Sequence, residues 1–152
     1  MSDPTVLLAE DNPDDVVLVR RAWRRSGLPG TLQVVSDGEE VLRYLRGQGA
    51  YADRSAHPQP DLLLLDWKMP RMSGLEVLRL IRGQSCYDDL PVVVLTASVE
   101  DEDVLDAYAA RANSYLQKPV SAGSLTTLLA NAGRYWLEHN VRSSGGPAAQ
   151  EG

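Results

Sequence analysis

The chain has 152 residues, a length that fits one domain with an ample hydrophobic core. Its net charge of −6 argues against a general nucleic-acid binder, because contacts to phosphates need a basic surface. No apolar run approaches the ~20 residues of a membrane span, and the N-terminus lacks the basic and apolar regions of a signal peptide. The single cysteine, Cys86, cannot form an internal disulfide, so we expect a cytoplasmic protein.

The first strand and helix are predicted from an apolar run and a capping pattern. Residues 5–9 are typical of a buried strand, which ends at the adjacent carboxylates of Glu10 and Asp11. Asn12 and Pro13 suit the N-cap and the first turn of a helix that ends near Gly27. Helical spacing predicts five inward-facing residues, Val16, Leu18, Val19, Ala22 and Trp23. The opposite face carries four arginines, Arg20, Arg21, Arg24 and Arg25.

Four further strand and helix units follow along the chain. The predicted strands lie at residues 32–36, 62–65, 91–96 and 114–119. The predicted helices lie at residues 39–46, 74–82, 100–112 and 121–140. Regular alternation of strand and helix predicts an α/β fold with a doubly wound parallel sheet of five strands in the order 2-1-3-4-5 and helices on both faces.

Two segments are predicted to lie outside this regular pattern. Residues 47–60 contain glycines and prolines, and we expect a long surface connection there that includes His57. Residues 143–152 are small and polar and are expected to form a disordered tail. The domain is therefore predicted to span residues 1–142, with His139 at the surface near its end and no output domain after it.

Four of the five predicted strands end in a polar group. Glu10 and Asp11 follow the first strand, Asp66 follows a run of four leucines, Thr96 ends the fourth strand and Lys118 ends the fifth. Each of these residues alone is ordinary at a turn. Their common position at the carboxyl edge, where open α/β sheets bind their ligands, predicts a functional site.

The residue types at this edge favour phosphoryl transfer. Three carboxylates in one place repel one another, and a hard cation such as Mg²⁺ relieves that repulsion. One carboxylate, Asp66, remains available as a nucleophile toward a phosphoryl group. The ammonium of Lys118 and the hydroxyl of Thr96 can stabilise the charge on the transferred group.

With these residues in place, the chain resembles the receiver domain of bacterial two-component response regulators. The matching segments are residues 8–12, 66–74 and 96–98, together with Tyr115, Lys118 and Pro119. The run Asp-x-x-Met-Pro-x-Met-x-Gly is the most specific of them. The resemblance covers roughly residues 5–140 and implies the flavodoxin-like receiver fold. Residues 13–15, 37–40 and 49–53 are most similar to single-domain regulators partnered with bacterial phytochrome histidine kinases.

The resemblance implies a role for each site residue. Asp66 would accept a phosphoryl group from a kinase phosphohistidine, and Lys118 would pair with it. Mg²⁺ would be held by Glu10, Asp11, Asp66 and the backbone carbonyl of Lys68. Such a protein is a signalling switch rather than an enzyme, with at most autophosphatase activity.

The resemblance also implies a switch and a constrained loop. Thr96 would move to bond the phosphate oxygens, and the Tyr115 ring would turn inward, which changes a surface used for partner binding or relay. The Lys118–Pro119 peptide bond is expected to be cis. Arg111 stands where a glycine is often found, so Asn113 is expected to take the left-handed conformation there.

Two interaction surfaces are predicted from charge and apolar bulk. The arginine face of the first helix is typical of a solvated face, with docking of the kinase as the alternative. The end of the last helix carries Arg134, Tyr135, Trp136 and Leu137. Together with the fourth helix, it is expected to form a homodimer interface.

Three other functions remain to be weighed. A receiver-like interaction module that takes no phosphate would not need an intact phosphorylation site. All five site positions are present here, which counts against that function. A phosphohydrolase with an aspartyl nucleophile would resemble an Asp-x-Asp pattern, but Lys68 occupies the second position. A flavin-binding protein on the same sheet would need a Ser/Thr/Gly-rich phosphate loop after the first strand, where this chain is acidic.

Overall fold

The computed structural model describes residues 3–141 as a sheet of five strands with helices on both faces. The strands are Thr5–Ala9 (β1), Thr31–Val35 (β2), Leu62–Leu65 (β3), Val92–Thr96 (β4) and Ser114–Gln117 (β5). The helices are Pro13–Ser26 (α1), Gly38–Arg46 (α2), Gly74–Arg82 (α3), Asp101–Ala109 (α4) and Ala122–Arg134 (α5). The predicted tail at residues 143–152 lies outside the described residues.

All strand pairs are parallel, and the strand order is β2-β1-β3-β4-β5. The predicted doubly wound sheet is therefore confirmed. Ala9 and Leu65 lie opposite each other at the ends of β1 and β3, and the Asp66 N–H donates to the Ala9 carbonyl at 3.0 Å. This register brings Glu10 and Asp66, the next residue of each strand, to the same edge of the sheet.

The sheet is covered by two hydrophobic clusters. On one face, Leu8 and Leu64 pack with Val19 of α1 and Leu129 of α5. On the other face, residues of β1, β3 and β4 pack with α2, α3 and Ala107 of α4. Every residue of β3 and β4 is buried, because each face lies under helices, which explains their uninterrupted apolar runs. Within residues 3–141, no helix combines the length and apolar character needed to cross a bilayer.

Helix α1 has the predicted caps but a narrower inner face than predicted. The Asn12 side chain accepts hydrogen bonds at the start of the helix, and Gly27 ends it with φ 71°. The buried positions are Val19, Ala22, Trp23 and Ser26, a stripe with i, i+3, i+4 and i+7 spacing. The inward prediction for Leu18 is wrong, since it lies beside this stripe and is 41% exposed.

The turn from α4 to β5 differs from the prediction. Helix α4 ends at Ala109 rather than near residue 112, and Arg111, not Asn113, takes the left-handed conformation, with φ 70°. Two reciprocal hydrogen bonds hold Arg111 there. Its Nη2 donates to the Arg82 carbonyl at 2.7 Å, and the Arg82 Nε donates to the Arg111 carbonyl at 3.1 Å. The Asn113 side chain instead accepts from the Val92 N–H at 2.8 Å.

The connection at residues 47–60 is folded onto α2 and is not simply a surface loop. The rings of Tyr44 and Tyr51 lie 5.1 Å apart, and the half-buried His57 ring packs edge-on against both. Arg54 donates to the Tyr44 carbonyl at 2.7 Å and so satisfies an acceptor at the end of α2. The segment is still a surface connection, and His57 lies half-buried in it; composition alone does not reveal the ring packing.

The last helix changes type near its end. The α-helical part ends at Arg134, and the predicted remainder of the helix continues as a π-helical turn, Tyr135–His139. Such turns are wider than an α-helix and change which side chains face the protein. Tyr135 is consequently half-exposed, while Trp136 packs against the cluster under α1 and α5.

Replacing Gly74 with alanine is expected to destabilise the protein by roughly 2–3 kcal/mol, as overpacking does. A Cβ atom at this position would lie 2.6 Å from the Asp66 carbonyl oxygen and 2.9 Å from the Trp67 Cα, and backbone atoms cannot rotate away. Urea unfolding of the two proteins measures the difference. Gly123→Ala is the matched control, because its added methyl meets nothing within 4 Å. Equal stability of Gly74→Ala and wild type would contradict this close approach.

Candidate functional site

The sequence-predicted site residues meet in one cleft of about 230 Å³ at the carboxyl edge of the sheet. Its lining residues are Glu10, Asp11, Asn12, Asp15, Asp66, Lys68, Thr96, Ala97, Ser98 and Lys118. The loops after β1, β3, β4 and β5 supply nearly all of them, as the order of the strands requires. Tyr115 and Pro119 are the two predicted site residues outside this lining.

Three carboxylates form an acidic cluster in the cleft. Glu10, Asp11 and Asp66 each offer one oxygen, and these atoms lie within 4.8 Å of one another. Glu10 is 1% exposed and Asp66 is 7% exposed, whereas Asp11 faces solvent. Clustered carboxylate oxygens with an open side are the ligands that suit a small hard cation such as Mg²⁺, which keeps several waters. The residues present therefore fit the predicted metal.

Lys118 provides the positive charge within this cluster. Its Nζ contacts Glu10 Oε1 and lies 3.1 Å from Asp15 Oδ2 and 3.8 Å from Asp66 Oδ2. Burial alone would lower the pKa of Lys118, but the three carboxylates outweigh it and raise the pKa. The ammonium is thus held charged beside the carboxylate of Asp66.

Asp15 is a site residue that sequence reasoning missed. In the sequence it is an ordinary carboxylate in the first turn of a helix, where the positive end of the helix favours it. The structure adds the ion pair to Lys118, which joins α1 to the β5–α5 loop. Asp11 precedes the N-cap of α1, so helical spacing does not relate it to Asp15, and the sequence offers no periodic signal that would have placed Asp15 near the cluster.

Glu10 has the most perturbed carboxyl group of the cluster. Burial raises its pKa from 4.5 to about 7, the hydrogen bond from Lys118 opposes this rise, and the charge of Asp66 adds to it. Without a cation in the cleft, Glu10 therefore holds a proton over a pH range in which an exposed glutamate has lost it.

The metal-free protein is expected to lose stability as pH rises from about 4.5 to about 7. In this window folded Glu10 keeps a proton that the unfolded chain releases, so the free energy of unfolding falls with increasing pH. Urea unfolding at stepped pH in a chelator measures this slope. Glu10→Gln should remove this pH dependence of the free energy of unfolding, whereas Glu39→Gln, on an exposed face of α2, should retain it. An unchanged slope in Glu10→Gln would contradict the assignment.

The predicted switch residues are linked through Ser98. Thr96 is 1% exposed, and the Ser98 N–H donates to its Oγ1 at 3.5 Å. The Tyr115 hydroxyl donates to the Ser98 carbonyl at 2.8 Å, and the Tyr115 ring lies edge-on to Trp67 at 6.3 Å. A movement of Thr96 therefore reaches Tyr115 through one residue of the β4–α4 loop.

The prediction of a cis Lys118–Pro119 bond is wrong. The described residues contain no cis peptide bond. The trans form of a bond to proline is favoured by about 0.5–1 kcal/mol, and a loop must impose the alternative. Here the Lys118 N–H donates to the Thr96 carbonyl at 2.8 Å and Nζ reaches the acidic cluster, both with the trans bond.

The sequence profile of the family described as the response regulator receiver domain matches residues 6–130. The chain belongs to this family. A curated relative of the receiver domain is the probable methanogenesis regulatory protein FilR2 of Methanothrix harundinacea. It is 38% identical over 143 residues, which cover 94% of this chain and 88% of that protein.

Solved structures of response regulators resemble this receiver domain over nearly their whole length. Response regulator RPA3017, in red light signalling of R. palustris, has a TM-score of 0.87 at 33% identity, covering 92% of this chain and 98% of that chain. The phosphorylated cyanobacterial phytochrome response regulator RcpA has a TM-score of 0.84 at 32% identity, covering 94% and 100%. The Mn²⁺-bound form of response regulator Rcp1 has a TM-score of 0.80 at 32% identity, covering 92% and 99%.

Proposed function

We propose that this receiver domain accepts a phosphoryl group on Asp66 from the phosphohistidine of a sensor histidine kinase, as part of two-component signal transduction. In this step a carboxylate oxygen of Asp66 forms a bond to phosphorus, and the bond from phosphorus to the histidine nitrogen breaks. The observation that carries the proposal is the position of Asp66. It directly follows β3 and lies in a cleft shared with two further carboxylates and an ammonium group.

The residues around Asp66 have separate roles in this proposal. Glu10, Asp11 and Asp66 would hold Mg²⁺ through carboxylate oxygens, with the Lys68 backbone carbonyl as a further ligand. When bound, Mg²⁺ supplies positive charge to the phosphoryl oxygens. Lys118 lies 3.8 Å from Asp66 Oδ2 and pairs with the transferred group. The buried Thr96 hydroxyl donates to a phosphoryl oxygen, and the change reaches Tyr115 through Ser98.

Incubation with acetyl phosphate and Mg²⁺ tests the proposal without the kinase. The intact mass is expected to increase by one phosphoryl group with Mg²⁺ and to stay unchanged in a chelator. Hydroxylamine should remove the group, because it cleaves acyl phosphates and leaves phosphoserine intact. A folded protein that binds Mg²⁺ but gains no mass would favour the alternative, a phosphorylation-independent interaction module.

The proposal extends to the partner and its location. The red-light and phytochrome regulators among the structural relatives support a bacterial phytochrome as the kinase. Net negative charge and a single cysteine support a cytoplasmic protein without a nucleic-acid partner. We assign residues 1–142 to the receiver domain and infer a signalling role with at most autophosphatase activity.

We also propose a homodimer through α4 and the end of α5. Apolar side chains are exposed on both elements, with Leu105 70% exposed and Tyr135 52% exposed. Sedimentation of the wild type is expected to show a dimer that Leu105→Asp weakens about tenfold or more, since a buried charge opposes association. Leu80→Asp, on the exposed side of α3, is the matched control. A monomer at high concentration, with and without a phosphoryl mimic, would contradict the proposal.

A further inference from the structure

Asp103 connects two loops of the site to the first turn of α4. Its side chain is only 13% exposed, although it is a carboxylate near a helix start. Lys68 Nζ, from the loop between β3 and α3, lies 2.9 Å from Asp103 Oδ2. The Ser98 hydroxyl, from the loop between β4 and α4, donates to the same oxygen at 2.7 Å. One carboxylate oxygen thus bridges both loops that border Asp66.

The Lys68 side chain belongs to the phosphoryl site as well as to this bridge. Lys68 lines the same cleft as Asp66, and its side chain is 57% exposed and flexible. Its ammonium therefore has two anions within the reach of one side chain. Before phosphorylation, Lys118 is already the partner of Asp66, so Lys68 pairs with Asp103.

We propose that the Lys68 ammonium moves from Asp103 to the phosphoryl group when Asp66 is phosphorylated, and that this movement releases the first turn of α4. The inference rests on the proposed function and adds a side-chain route from Asp66 to α4. A phosphoryl group carries about −1.5 to −2 charges near pH 7, whereas Asp103 carries one. Phosphorylation therefore creates a stronger anion at Asp66 than the carboxylate of Asp103, and the Lys68 ammonium moves to it.

Helix α4 is suited to this release because little else holds its first turn. Ala107 is its one buried residue, and no side chain caps its N-terminus at Glu100. Its first turn is instead fixed by the contacts of Asp103. Hydrogen bonds from Ser98, then from Lys68, hold the pKa of Asp103 below its usual range, so this carboxylate remains charged and able to bind both donors.

The bridge formed by Asp103 and the switch residues share one partner, Ser98. The Ser98 backbone bonds to Thr96 and Tyr115, while its hydroxyl bonds to Asp103. Loss of the Lys68 contact leaves the Ser98 hydroxyl and the Trp67 side chain as donors to Asp103. The position of the first turn of α4 then depends on the β4–α4 loop, which is also the loop that a movement of Thr96 displaces.

Hydrogen–deuterium exchange of the α4 amides tests this mechanism. In the unphosphorylated protein, Lys68→Met is expected to raise exchange at the start of α4 about fivefold, and Lys68→Arg should resemble the wild type. The substitution keeps the backbone carbonyl of Lys68, so that proposed Mg²⁺ ligand is retained. Arg71→Gln is the matched control, because Arg71 is on the same loop and pairs with Asp37 at 3.1 Å, away from α4.

Phosphorylation by acetyl phosphate and Mg²⁺ supplies the second arm, with the adduct fraction read from intact mass. The wild type should show about fivefold faster α4 exchange once phosphorylated, and Lys68→Met should show little further change. The inference is overturned if phosphorylated wild type shows unchanged or slower α4 exchange, or if Lys68→Met keeps the full response. An absent adduct would instead overturn the proposed function, and the release step with it.

Discussion

Asp66→Asn is expected to abolish the phosphoryl adduct formed with acetyl phosphate and Mg²⁺ while the protein remains folded. The amide has nearly the same shape as the carboxylate but lacks the anionic oxygen that attacks phosphorus. It also removes one charge from a cluster of three carboxylates, so stability should be equal to the wild type or higher. Intact mass and urea unfolding of the same preparations measure both quantities.

Asp14→Asn is the matched control for this experiment. Asp14 lies in the first turn of α1 near the site but does not line the cleft, so its replacement should leave the adduct in place. An adduct that persists in Asp66→Asn would show that another residue accepts the phosphoryl group. Loss of the adduct in both variants would indicate a general effect of charge near α1.

Lys118→Met is expected to slow phosphoryl transfer from acetyl phosphate by roughly 100-fold or more, the usual effect of removing a group that stabilises developing charge. It should also destabilise the metal-free protein by about 3–5 kcal/mol, because it leaves buried carboxylates without their partner. The time course of adduct formation by mass and urea unfolding in a chelator measure the two effects.

A double variant separates these two effects of Lys118. Glu10→Gln together with Lys118→Met replaces the buried ion pair with uncharged groups, so much of the stability should return. The transfer rate should not return, because the ammonium beside Asp66 is still missing and a proposed Mg²⁺ ligand is lost as well. Recovery of the rate along with stability would show that Lys118 acts only by holding the fold together.

Much of the fold could be predicted because burial on both faces leaves a clear pattern in the sequence. The all-leucine β3 and the apolar β4 could only be central strands, and their order follows from right-handed connections. The exact end of α4 could not be predicted. It depends on hydrogen bonds between Arg82 and Arg111, which are 29 residues apart in the chain.

The strand-end residues of the site could be predicted for the same reason. Glu10, Asp66 and Thr96 follow or end strands, and a parallel sheet brings such positions together. Asp15 and Asp103 lie instead in the first turns of helices. Whether such a side chain reaches the site depends on how its helix is rotated over the sheet, which local sequence does not determine.

The bonds between Arg82 and Arg111 have a consequence for the motion of α4. They fix the C-terminal end of this helix to the end of α3, where Arg82 also donates to the Asn113 side chain at 2.9 Å. The N-terminal end is held to the neighbouring loops by the side chain of Asp103. When that end is freed, α4 should therefore swing as a lever about a pivot at Arg111, and Leu105 and Tyr108 on its exposed side would travel with it.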